Sequence, residues 1–167
     1  VDTASVDTEY YHTEIKMIET AFKVVGTLTL SAKREDGSLS ELTIKNMVVN
    51  YGLVGLATVI AGGSAFSPMT HLALGDSNTA AALGDTSLVS ELRRDAAAVT
   101  LLAFPENNKV QFQVEHVLGA VVGTFREAGL FDAASVGNMF NRTTFADFVI
   151  GASETLTETW LIEVRNA

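Results

Sequence analysis

The chain has 167 residues, 47% of them hydrophobic, no cysteine, and a formal charge of −9. This length suits one domain with its own core, since roughly 70% of the unfolded surface is buried at this size. No apolar stretch approaches the ~20 residues of a membrane span. The eleven lysines and arginines are scattered rather than clustered, which argues against gripping phosphates. Neither a membrane nor a nucleic acid is therefore an expected partner, and the lack of cysteine removes a disulfide framework and a thiolate metal site. Apolar content this high points to burial at subunit contacts, so a homo-oligomer is expected, with a trimer favoured.

Residues 1–20 carry Asp2, Asp7, Glu9, Glu14 and Glu19, with Tyr10 and Tyr11 interleaved. They read as an extended N-terminal arm that needs a neighbour to order it, because its few apolar groups do not offset the entropy of fixing it alone. Its polar, acidic start does not resemble a signal peptide. Residues 21–167 read as a single β-rich domain. Phe22 to Lys33 is β-rich, Glu35-Asp36-Gly37-Ser38 supplies an Asp-Gly turn, and Leu39 to Lys45 returns, which predicts a hairpin.

Asn50 to Ala61 changes period. Leu53, Leu56, Ala57 and Ile60 recur at helical spacing, Asn50 suits an N-cap, and Gly62-Gly63 stops the helix. Gly52, Gly55 and Ala57 are small enough for this short helix to be buried close against a sheet. Met69 to Gly75 reads as a strand, residues 76–85 as a loop, and Thr86 to Leu92 as a second, shorter helix capped by Thr86. Three further stretches follow: a hairpin over Ala98–Phe104 and Lys109–Val117, another over Thr124–Asp132 and Asn138–Phe145, and a closing strand over Thr155–Val164. The last places Leu156, Trp160 and Ile162 on one face, with Trp160 as a core or interface anchor. The expected fold is mainly β: a sandwich or open barrel of antiparallel strands with one or two short helices.

Chemistry is sparse. Gly75-Asp76-Ser77 after a strand resembles the nucleophile motif of GDS-type esterases, but such a serine needs a histidine held by a carboxylate, and no Asp-x-x-His occurs in the last third. His12, His71 and His116 lack metal-ligand spacing, and His71 is expected to be hydrogen-bonded within its sheet. Asp76 and Asp85 are ordinary turn acids without an EF-hand pattern. Asn141-Arg142-Thr143 matches a glycosylation acceptor. The expectation is no enzyme, no catalytic residue, no metal and no cofactor. The charged residues are better read as architecture. Strand alternation puts Phe125, Glu127, Gly129 and Phe131 on one face, so Glu127 needs a partner, and Arg93, Arg94, Arg126 and Arg142 are the candidates.

Four segments in order then carry a resemblance: Lys45–Leu53, Met69–Asp76, Thr86–Arg94 and Arg126–Asp132. Together they resemble tailed-phage structural proteins, above all the tail-fibre and tail-collar-fibre attachment domains, over about residues 26–166. The resemblance implies a virion component, usually oligomeric, that docks on the tail or baseplate and has other virion proteins as partners. Fibres of that family continue into a shaft and receptor-binding tip, whereas this sequence stops at Ala167. A tail-fibre-like, collar or baseplate-adaptor protein, such as a short fibre, is expected, with a capsid decoration protein or a receptor- or carbohydrate-binding module as alternatives.

Overall fold

A computed structural model describes residues 22–64 and 66–166. The expected arm, with Tyr10 and Tyr11, lies outside the described residues. Among the described residues, ten strands form two antiparallel five-stranded sheets facing each other, with one short helix. The first sheet contains β1 (Phe22–Arg34), β2 (Leu39–Lys45), β6 (Ala98–Leu101), β7 (Lys109–His116) and β10 (Glu154–Asn166), in the order β2-β1-β10-β7-β6. The second contains β3 (Met47–Val48), β4 (His71–Gly75), β5 (Glu91–Ala96), β8 (Gly123–Phe131) and β9 (Met139–Ile150), in the order β3-β9-β8-β4-β5.

All three expected hairpins are present. In the first, Gly37 takes φ +85°, Asp36 accepts the Ser38 N–H at 2.8 Å, and the turn holds the register Lys33↔Leu39. Glycine meets the positive φ without steric cost, and the aspartate side chain closes the turn. β1 and β10 pair over their whole length, from Phe22↔Asn166 to Arg34↔Glu154, and form the middle of the first sheet. Between the sheets Leu28, Leu30, Leu72, Leu74, Leu130, Leu156 and Trp160 are sealed from solvent. A smaller apolar cluster lies on another face of the second sheet, formed by Val49, Ala73, Leu88, Phe131 and Met139.

Three details depart from the sequence reading. A bulge between Phe125 and Glu127 shifts the alternation of β8, so Phe125 joins Ala128 and Leu130 in the main core while Glu127 does not share its face. Thr86–Ser90 is not helical: the stretch runs irregularly into β5, because Val89 and Ser90 give their N–H groups to the Glu127 carboxylate rather than to a helical turn. The helix α1 (Asn50–Ile60) forms as expected and stops at Gly62, φ +78°. Its N-cap is Val49 rather than Asn50, however, and the Asn50 N–H goes to Leu83 O at 2.8 Å. Nor is its leucine stripe buried. Gly52 and Gly55 are the buried residues of α1, while Leu53, Ala57 and Ile60 are exposed.

Candidate functional site

Glu127 and Arg142 stand at the centre of the second sheet, on neighbouring strands, and both are 0% exposed. Arg142 Nη2 lies 2.7 Å and Nε 3.0 Å from the same Glu127 oxygen, Oε2. The remaining arginine donors reach Asp85 Oδ2 at 2.7 Å, Thr79 O at 2.8 Å and Ala80 O at 3.4 Å. Glu127 in turn accepts the N–H groups of Ser90 at 2.7 Å and Val89 at 3.1 Å. A charge buried alone is costly, and here each ion has a partner and further hydrogen bonds around it. Burial pulls the Asp85 carboxyl upward, but the Ala82 N–H and Arg142 outweigh it and hold it below the ordinary aspartate value. The result is a knot that ties residues 79–90, which have no regular structure before β5, to the sheet.

This knot gathers three of the four segments that carried the resemblance. Glu127 comes from the fourth, Val89 and Ser90 from the third, and Gly75 closes the second. A Cβ on Gly75 would come within 2.7 Å of Glu127 Oε1. The Leu-Gly ending and the buried glutamate are thus one structural requirement.

A second charged cluster lies between the sheets. His116 Nε2 and Glu158 Oε1 are 2.6 Å apart, both buried. Arg93 reaches across from β5, clamps Asp95 at 2.7 and 2.9 Å, and comes within 3.3 Å of His116 Nδ1. Burial pushes the Glu158 carboxyl above the usual glutamate value despite the His116 bond, and its Oε2 has no partner among the described residues. The Arg93 hydrogen bonds, opposed by burial, hold Asp95 below its usual value. Ligand atoms of Asp95, His116 and Glu158 lie within 4.8 Å of one another. Arg93, however, already sets a fixed positive charge on Asp95 beside the histidine, and a cation placed among them would be repelled. We read this cluster as an inter-sheet clasp. Sequence reasoning missed it, although Glu158 shares the inward parity of Leu156, Trp160 and Ile162, a signal available from strand alternation alone.

The other candidate residues are placed apart. Arg126 pairs with Asp147 at 2.7 Å at the surface. Arg94 pairs with Glu91, stacks 3.5 Å over the Phe131 ring and donates to the carbonyls of Ala133 and Val136. Of the four arginines considered for Glu127, it is Arg142 that meets it. Trp160 is fully buried in the core, and its Nε1 is without a partner among the described residues. Ser77 donates to Thr79 Oγ1 at 3.1 Å, while His71 Nδ1 pairs with Thr70 Oγ1 at 2.8 Å. Asn141 is fully buried in β9, so the acceptor motif is closed to glycosylation in the folded chain.

Among the exposed apolar groups are those on the outer side of α1 and along the run Ala98–Phe104, which contains β6. The chain matches no protein-family model, no curated protein and no solved structure.

Proposed function

We propose that this chain is a non-enzymatic structural subunit of a tailed virus particle, of the fibre, collar or baseplate-adaptor kind, which joins copies of itself and other virion proteins through exposed sheet edges. The observation that carries the reading is the edge of the first sheet. β6 is exposed along its whole length, Leu101 is 67% and Phe104 86% exposed, and Ala98–Phe104 contains no charged residue. Soluble proteins protect such edges with charges, prolines or bulges, because an unprotected row of N–H and C=O groups templates another strand. An uncharged, apolar edge suits a chain whose working state pairs that edge with a neighbour.

The resemblance supplies the class of neighbour. Its segments also account for the buried Glu127 knot, which holds a fold and presents no reacting group to solvent. The test is to purify virus particles that carry the chain and locate it in them by electron microscopy. A tail or baseplate position supports the reading, a head-surface position moves it to the decoration alternative, and absence from particles ends it. A chromogenic ester assay with Ser77→Ala as control is expected to show no difference between the two proteins.

A further inference from the structure

Among the described residues the sheets end in four edge strands, β2 and β6 in the first and β3 and β5 in the second. Three of these edges are blunted. β2 holds Glu41 and Lys45, β5 holds Glu91, Arg93, Arg94 and Asp95, and β3 is two residues long. Charge and shortness are both means of keeping strangers off an edge. β6, with Ala98, Val99, Thr100 and Leu101, has no charge along it. Its backbone direction follows from the next residue. Leu102 N–H donates to Lys109 O at 3.0 Å and continues the ladder of β6 on β7, which runs from Ala98↔Gln113 to Leu101↔Val110. Backbone groups in an antiparallel ladder alternate in direction. Those of Ala98 and Thr100 therefore point to β7 with those of Leu102, and those of Val99 and Leu101 point to the open edge. The Val99 and Leu101 side chains stand opposite Phe112 and Val110, on the core-facing side, and are still 49% and 67% exposed.

Resting on the reading of this edge as a joint, we propose that β6 pairs with β6 of a second copy, antiparallel and about a two-fold axis through Thr100. Val99 of each chain then exchanges its backbone hydrogen bonds with Leu101 of the other, so every outward backbone group of β6 is paired. Neighbouring registers do not achieve this. A slip of one residue sets outward groups against groups already turned to β7. A slip of two sets Leu101 against Ala97, whose N–H is spent on Thr70 O at 2.8 Å, or Val99 against Ala103, whose C=O accepts the Glu106 N–H at 2.9 Å. Charge selects the occupant. Joining β6 to β2 or β5 of another copy would set charged side chains along an apolar edge, whereas two β6 strands meet without any, in a chain whose net charge of −9 otherwise keeps copies apart. A two-fold joint makes pairs, so the unit it builds is a dimer and not the trimer that the sequence analysis favours.

The chain has no cysteine, so a single introduced one reports a contact. Thr100 is exposed, opposite Gln111, and in the two-fold pair it meets its own mate at a non-hydrogen-bonded position. Cβ atoms there are about 4.5–5.5 Å apart, within a small shift of disulfide reach. Thr100→Cys and the control Thr43→Cys, exposed on β2, are oxidised in the full chain, with folding checked by circular dichroism. The parent is sedimented at the same concentration. The expected result is a mass of two chains, and covalent dimer forming at least tenfold faster from Thr100→Cys than from Thr43→Cys. Equal rates would overturn the register, and a trimer, or a single chain at every concentration, would overturn the pairing and leave the edge to a different protein. In none of these cases does the particle-subunit reading fall, since it depends on where the chain is found in particles. Rapid cross-linking of a chain that is absent from particles would end that reading and keep the joint.

Discussion

Glu127 has lost all contact with water, and the ligands that replace water come from three places: Arg142, the N–H of Val89 and the N–H of Ser90. Removing its charge while keeping its shape leaves the Arg142 guanidinium with Asp85 as its one carboxylate partner, and turns one of two oxygens that each accept an N–H into a donor. Breaking one side of a buried pair costs about 3–5 kcal/mol. Glu127→Gln is therefore expected to lower the melting temperature by roughly 10 °C, at the ~2–4 °C per kcal/mol typical of a domain this size. Scanning calorimetry checks it, and a variant that melts with the parent would show that the carboxylate does not hold the sheet.

Glu158 makes the stability of the fold depend on pH. Burial raises its carboxyl in the folded state, so the fold binds that proton more tightly than the unfolded chain does. Its contribution is complete below the ordinary glutamate value and is lost as pH rises through the raised folded value. Asp95, held low chiefly by Arg93, contributes above the ordinary aspartate value and loses that contribution as pH falls through its lowered one. His116, Arg93 and Asp95 are the titratable or charged side chains facing Glu158. With Glu158→Gln, the Glu158 component disappears and the others remain. Melting curves of parent and variant across the acid-to-neutral range are expected to show the parent losing stability relative to the variant as pH rises. A constant difference would mean that Glu158 titrates alike in both states.

At the scale of elements, sequence legibility followed the kind of force involved. Local rules were readable: the Asp36-Gly37 turn, the Gly62 stop and the strand periodicity outside the β8 bulge each depend on a few adjacent residues, and each is where the spacing put it. Thr86–Leu92 was misread because its cap and short apolar pattern suit a helix, whereas the Glu127 carboxylate, distant in sequence, takes the two N–H groups a helix would have used. The close approach of α1 to the sheet through Gly52 was readable from its small residues, whereas the burial expected of the helix was not met: leucine spacing marks an apolar stripe without saying what covers it, and Leu53 and Ile60 stay exposed. The partner of Glu127 could be narrowed to four arginines from composition, and only the register of β8 against β9 selects Arg142. The same contact logic makes Gly75 a sensitive position. A methyl group there would press on the Ser90 carbonyl first and on Glu127 next, so Gly75→Ala is expected to cost about 1–3 kcal/mol, the usual penalty for overpacking. Chemical denaturation measures it, and an unchanged midpoint would mean that β4 and residues 88–90 shift freely.

For the molecule as a whole, the question is what an acidic chain with a net charge of −9 does with an uncharged edge. Net charge of one sign keeps copies apart at a distance, so association must come from a surface where repulsion is locally absent and apolar burial is available. β6 and the residues to Phe104 supply both, and among the described residues the strand pairs with β7 alone. Screening the long-range repulsion with salt should then strengthen association, the reverse of what an interface built on ion pairs would show. Val99→Lys/Leu101→Lys places two charges on this edge without touching the core, as both side chains are exposed. Sedimentation of the parent is expected to give an oligomer whose mass fraction rises with ionic strength, and the double lysine variant is expected to remain a single chain at the same concentration with an unchanged circular dichroism spectrum. Should the variant assemble like the parent, the edge of the first sheet is not the joint.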